Sequence, residues 1–316
     1  MTILKLKPIF QKRIWGGRKL ETDFNYSIPK GPIGECWGIS AHHHGESVVE
    51  EGEFKGEVLS ALWRNHRSKL FGDYKMEEFP LLIKILDAND DLSVQVHPND
   101  EQASELEGEP YGKTECWYVI DAEPDSEIIL GHKAQTKEEM VKLTSDERWD
   151  DLLQKQPVKR GDFIFVKSGT VHAIGKGIVI LETQQSSDTT YRVYDYYRTD
   201  SEGNKRELHL EKALQVTTVP DSQTIHASQT VTAAGGETTF LIEVPEFSVV
   251  HHKISGTGYR LAGRGTFQLI SIIEGTGKIE SESEVMEVKK GDHLIMTREL
   301  KELIASGEME WITSFI

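Results

Sequence analysis

Cysteine is scarce: the 316 residues contain only Cys36 and Cys116. Two thiols are too few to staple a chain of this length or to build a cysteine-rich zinc module, and they suit a reducing compartment. Basic charge is also in deficit. Lys and Arg total 36 against 52 Asp and Glu, a net charge of -16, and that field repels nucleic acid and anionic membrane surfaces. An anionic ligand must therefore find a local basic pocket. No stretch approaches the roughly 20 apolar residues of a membrane span, and the opening segment, residues 1–17, lacks the uninterrupted apolar run of a secretion signal. The expectation is a cytoplasmic protein with neither nucleic acid nor membrane as partner. Low-complexity sequence is missing too, and 28% charged with 37% hydrophobic residues describes a globular chain with a real core.

What is present is mostly short β-rich runs punctuated by Gly, Asp, Asn and Pro, which favours a sandwich or barrel over a βαβ repeat. Residues 92–97, 115–120 and 161–166 are examples. Helical patterns are few. One follows Thr136, which has capping-box spacing to Glu139 ahead of Met140, Val141 and Leu143. Others are expected over 59–70 and 206–216. The small, polar stretch 221–237 ends in a Gly pair and suggests an interdomain connection. We place the division between domains 1–228 and 229–316. Lys289-Lys290-Gly291-Asp292-His293-Leu294-Ile295 echoes Val158-Lys159-Arg160-Gly161-Asp162-Phe163-Ile164. The echo suggests two related β-barrels, though a Gly-Asp turn before an apolar strand is common in any β protein.

Strand parity draws attention to three segments. In residues 92–98, Leu92, Val94 and Val96 face one way, Ser93, Gln95 and His97 the other, and Pro98 then ends the strand. In residues 112–118, Lys113, Glu115 and Trp117 share a face while Cys116 points oppositely, as a core thiol would. Glu115 is followed by Cys116, Trp117, Tyr118, Val119 and Ile120, and a carboxylate buried in such a strand needs a cation. Residues 161–172 read as a hairpin whose turn, Ser168-Gly169-Thr170, delivers His172 onto the next strand. Two imidazoles and one carboxylate suit Zn(II), Fe(II) or Mn(II) and leave open positions for substrate or water, with Gln95 as a candidate fourth ligand.

Gly161 through His172 resembles the second cupin motif, while Gln95-Val96-His97-Pro98 and Lys113-Thr114-Glu115 resemble motifs of type I mannose-6-phosphate isomerases. The resemblance extends to Ile14-Trp15-Gly16-Gly17, Gly34-Glu35-Cys36-Trp37, Phe79-Pro80-Leu81-Leu82-Ile83-Lys84 and residues 182–192. It is closest to the short bacterial form, which lacks the helical insertion of longer members. It implies two cupin-like (jelly-roll) β-barrels with a few added helices, the first catalytic and the second metal-free. It further implies one zinc ion per chain on Gln95, His97, Glu115 and His172, a catalytic Arg192, and a sugar-phosphate pocket lined by Trp15, Glu35, Lys84, Ser93, Lys113, Glu182 and Asp188. The implied reaction interconverts mannose 6-phosphate and fructose 6-phosphate through a cis-enediol.

Lys84 and Lys113 offer the positive potential that an acidic chain otherwise lacks, or else pair with Glu35 or Glu182. Glu182, Lys113 and a metal-bound hydroxide are each able to shuttle the proton. Two His and a carboxylate also form the triad of Fe(II) oxygenases, and a non-enzymatic sugar-binding cupin is a further alternative. His42-His43-His44 and His251-His252 read as surface imidazoles. The Gly-x-Gly sequences at 256–258, 263–265 and 275–277 lack the following helix of a dinucleotide site and read as turns.

Overall fold

A computed structural model describes residues 3–199, 203–222, 227–282 and 284–316. Two β bodies make up the chain, with six helices among the described residues. Two antiparallel sheets form the first body. The larger runs in the order Phe163–Val166, Glu115–Ala122, Ile178–Gln185, Leu81–Ala88, Ile9–Gly17 and Ile33–Ile39. The smaller runs Leu153–Pro157, Glu127–His132, His172–Ile174, Val94–Val96 and Tyr191–Tyr194. Trp117, Val119, Ile180 and Leu86 of one sheet meet Ile128, Leu130 and Ile174 of the other. Their alternating neighbours Cys116, Tyr118, Leu181, Ile83 and Ile85 turn to the opposite side, where they join residues of the second body such as Val249, Leu269 and Ile312. Leu81–Ala88 and Ile178–Gln185 are therefore buried at every position, and neither sequence alternates between apolar and polar residues.

The second body is one sheet, ordered Gln229–Ala233, Gly236–Glu243, Ser248–Ala262, Glu302–Phe315, Gln268–Glu280, His293–Met296, Ile3–Lys7 and Val48–Val49. Val285–Lys289 pairs alongside Gln268–Glu280. Trp311, Tyr259, Ile254, Ile270 and Ile272 fill its core. Ile3–Lys7 enters this sheet from the far end of the sequence, with Ile3 opposite Met296 and Leu6 opposite His293. Ile3, Leu4 and Leu6 are fully buried there, each worth about 1.5–3 kcal/mol. The two bodies are thus joined by a shared strand as well as by shared core.

The echoed Lys-x-Gly-Asp turns are the same structure twice. Asp162 accepts from the Lys159 N–H at 2.9 Å and Asp292 from the Lys289 N–H at 3.0 Å. Gly161 and Gly291 between them have φ of 89° and 92°, a conformation that glycine adopts without a Cβ penalty.

Helices form at Leu59–Leu70 and Lys137–Ser145 as expected. Thr136 Oγ1 accepts from the Glu139 N–H at 3.1 Å, but the Glu139 carboxylate closes on the Gln135 N–H at 2.8 Å, one residue early. The helix expected over 206–216 is shortened to Leu210–Val216, because Arg206 is drawn to Asp195 and the Glu207 carbonyl to Arg192. Residues 221–237 are not a spacer throughout. Residues 223–226 lie outside the described residues, while Gln229–Ala233 is an edge strand hairpinned to Gly236–Glu243 and exposed at every position. Both its faces meet water, so its polar composition imitates a linker. The helix Asp100–Glu107 was unforeseen. Asn99 and Gln102 form a reciprocal capping box and Gly108 ends it in the left-handed region. Asp100 Oδ1 then accepts from the Gly112 N–H and Gln185 Nε2, each at 2.8 Å, bracing the entry to the strand that carries Glu115. No helix among the described residues is long and apolar enough to cross a membrane.

Candidate metal centre and cleft

His97 follows the strand Val94–Val96, Glu115 opens the strand Glu115–Ala122, and His172 opens His172–Ile174. The two sheets bring them together, with one candidate ligand atom from each within 4.8 Å of the others. All three are buried. His97 Nδ1 lies 2.9 Å from the Thr189 carbonyl and His172 Nδ1 lies 2.8 Å from the Thr170 carbonyl. A carbonyl only accepts, so each Nδ1 must carry the proton and each Nε2 presents a lone pair inward. The Nε2 atoms of His97 and His172 stand 3.6 and 3.4 Å from the Glu115 carboxylate.

His172 Nε2 and Glu115 Oε2 are buried with no hydrogen-bond partner. Orphaned buried acceptors are costly, and a divalent cation would satisfy both. The donor set therefore fits a metal. Burial, reinforced by Lys113 for His97, depresses both imidazole pKa values, that of His172 to about 4, so both rings are neutral and ready to ligate at pH 7. Gln95 pairs directly opposite His172 on one side and Arg192 on the other, one strand in from the edge of the smaller sheet.

Beside this cluster, and joined to it through Lys113, opens a cleft of about 320 Å³. Trp15, Glu35, Lys84, Ser93, Gln95, Lys113, Glu182, Asp188 and Arg192 all line it. The two lysines are engaged at its floor: Lys84 Nζ lies 3.7 Å from Glu182, and Lys113 Nζ lies 3.5 Å from Glu115 and 3.2 Å from His97 Nε2. Burial works to lower the Lys113 pKa, but Glu115, Glu182, Asp188 and Glu35 outweigh it and raise it. Trp117 Nε1 donates to Glu115 at 3.0 Å and to Glu182 at 3.1 Å, tying the two carboxylates together. Burial first, then the Glu115 charge, pushes Glu182 up to about 7. Arg192 donates to neutral oxygens, Ser93 Oγ at 3.3 Å and the Glu207 carbonyl at 2.8 Å.

The chain is 51% identical to the mannose-6-phosphate isomerase ManA of Bacillus subtilis, over 99% of this chain and 98% of that one. It belongs to the type I phosphomannose isomerase family. The family model for the type I phosphomannose isomerase catalytic domain matches residues 3–121, and that for the mannose-6-phosphate isomerase cupin domain matches 236–316. A mannose-6-phosphate isomerase of Streptococcus mutans is 49% identical over 98% of this chain and 97% of that one. A crystal structure of the mannose 6-phosphate isomerase from Bacillus subtilis superposes with a TM-score of 0.97 at 42% identity, covering both chains completely.

Within this phosphomannose isomerase fold the sequence reading missed two cleft cations, Arg13 and Arg206. Arg13 holds Glu35 through two bonds of 2.9 and 3.0 Å, and Arg206 is clamped to Asp195. With them the lining carries Arg13, Lys84, Lys113, Arg192 and Arg206 against Glu35, Glu182 and Asp188. The cleft is thus locally basic in an acidic protein. Arg13, two residues before Trp15 on the same strand face, was reachable by strand parity, whereas no local signal separates Arg206 from a surface arginine.

Proposed function

We propose that the chain interconverts mannose 6-phosphate and fructose 6-phosphate through a cis-enediol, using one zinc ion held by His97, Glu115 and His172 with Gln95 as fourth ligand. The observation that carries this reading is the pair of imidazoles locked through Nδ1 with Nε2 turned on a buried carboxylate, beside a cleft rich in cations. When bound, the metal supplies Lewis-acid stabilisation of the oxygens at C1 and C2, worth several kcal/mol in the transition state.

The remaining work falls to side chains. Glu182, with a pKa near 7, is suited to take the proton from C2 and return it at C1, since a carrier works best when its pKa lies near the operating pH. The hydroxyl proton on O2 passes to O1, so aldose becomes ketose with no net change in atoms. Trp117 Nε1 and Lys84 hold the Glu182 carboxylate in place. Arg192 stays charged throughout, and its bonds to neutral oxygens leave that charge available to the developing enediolate. Arg13 and Arg206, with the lysines, make the cleft receptive to a phosphate dianion. We assign residues 1–228 to catalysis and 229–316 to a metal-free partner barrel, with the strand Ile3–Lys7 crossing that division.

The test is incubation of purified protein with mannose 6-phosphate, with and without a chelator, following fructose 6-phosphate. Conversion that stops on chelation and returns with zinc is expected. Metal-independent conversion, or none with zinc present, would overturn the proposal; oxygen consumption would point to the oxygenase alternative, and tight sugar binding without turnover to the binding protein.

A further inference from the structure

Three consecutive histidines close a tight hairpin beside the cleft. Ala41–His42 pairs with Gly45–Glu46, leaving His43 and His44 in the turn. Ser40 pins the hairpin, donating to the Gly45 carbonyl at 2.5 Å and accepting from the His42 N–H at 3.2 Å. Successive residues of an extended strand send their side chains to opposite sides, but this turn gathers all three rings on one side. Their centroids lie 4.4, 4.9 and 4.2 Å apart, and one nitrogen from each lies within 4.8 Å of the others.

His42 is buried against Trp37, at 5.8 Å edge to face, and Lys84, which lines the cleft, lies over the same Trp37 ring at 4.9 Å. His43 and His44 are exposed. His44 Nδ1 lies 3.2 Å from the carboxylate of Asp188, which itself lines the cleft. An ionised carboxylate only accepts, so it fixes the proton on Nδ1 and leaves His44 Nε2 free, the arrangement by which carboxylates orient metal-binding imidazoles.

We propose that His42, His43 and His44 form a second metal site, distinct from the central one, for a borderline divalent transition ion such as Zn2+, Ni2+ or Cu2+. Imidazole nitrogen suits these ions, and a Zn–N distance of about 2.0–2.1 Å requires the two exposed rings to close by roughly an ångström through side-chain rotation. The His44 N–H donates to His42 Nδ1 at 3.2 Å, and ligation through that atom gives up this bond, so the site is weaker than the buried one. Asp188 links the two: its carboxylate orients a ligand of the outer ion and faces the substrate cleft.

Protein already loaded with its central metal is titrated with Ni2+ by calorimetry. One further equivalent per chain is expected, weakened at least tenfold by His43→Ala and by His44→Ala, and about tenfold by Asp188→Asn, the usual scale for loss of an orienting partner. The central metal content of each variant, unchanged at one per chain, reports that it folds. No further equivalent in the native protein, or one unaffected by both histidine substitutions, would refute the site. Should a variant lose the central metal as well, the native protein decides alone: paramagnetic resonance of added Cu2+ must show splitting by imidazole nitrogens, and an oxygen-only environment overturns the proposal.

Discussion

His252→Phe is expected to remove about 2 kcal/mol of the stability that the native protein loses between pH 7.5 and 5.0. His252 sits in the core of the second body, 2% exposed, with its ring 5.4 Å from that of Trp311. Its Nδ1 lies 2.6 Å from the Tyr259 hydroxyl, and its Nε2 has no partner. Burial, with smaller contributions from His251 and Arg264, pushes the imidazole from 6.5 down to about 3. In the unfolded chain the ring titrates near 6.5. Between those values the unfolded state binds a proton that the native state refuses, so stability is complete above pH 6.5 and drains as the pH falls towards 3. Integrated from 7.5 to 5.0 for one such group, the loss is about 2 kcal/mol. Phenylalanine keeps the ring packing and cannot titrate, and Thr238 remains as a partner for the Tyr259 hydroxyl. Urea unfolding of both proteins at both pH values reads the effect; with an m-value of about 3 kcal/mol per M, it is a difference of roughly 0.7 M in the midpoint shift. Other depressed histidines, His293 among them, are common to both proteins and cancel. Equal acid sensitivity in the two proteins would show that burial does not hold His252 neutral, and the reasoning would fail.

Two further tests separate roles within the first body. His172→Ala should lose both bound metal and turnover, whereas Arg192→Ala should retain the metal and lose about 10²–10³ in kcat, the scale for removing one group that stabilises developing charge; metal analysis beside initial rates distinguishes them, and equal metal loss would overturn the assignment. Asn99→Ala, which removes the cap of the helix Asp100–Glu107, should cost about 1 kcal/mol of stability in urea unfolding.

Strand parity alone made much of the centre legible. A period of two is a local property, so Ser93, Gln95 and His97 could be put on one face and Cys116 on the other before any sheet was known. What parity does not encode is which strand lies beside which. The shared strand Ile3–Lys7 looks like any other short apolar run, and its partner His293–Met296 lies at the opposite end of the sequence. Arg206 stands at the cleft held by Asp195, a pairing across eleven residues that no local pattern announces. The helix Asp100–Glu107 buries only Ala103, so hydrophobic periodicity was silent there although Asn99, Gln102 and Gly108 spelled out both ends. The stretch 229–233 misled for the converse reason, since an edge strand exposed on both faces carries the composition of a loop.

The second body also explains how so many charges are tolerated inside the first. Lys84, Lys113, Glu115 and Glu182 are all buried, and each would cost several kcal/mol if left unpaired. Their pairing depends on cross-strand register, with Glu182 opposite both Lys84 and Trp117, so a slip of one residue in the strand that carries Glu182 would turn it away from both. The buried inner face of Trp117, Val119, Ile180 and Leu86 already specifies that register, and a second dry face adds to it. Here the back is dry: Cys116, Tyr118, Leu181, Ile83 and Ile85 pack into the core shared with the second body. Thr183 Oγ1 meets Ser314 Oγ at 2.8 Å and Tyr118 stacks on His251 at 5.0 Å across the same boundary. A second body that contributes none of the described residues lining the cleft thereby reinforces the register on which the cleft's electrostatics depend.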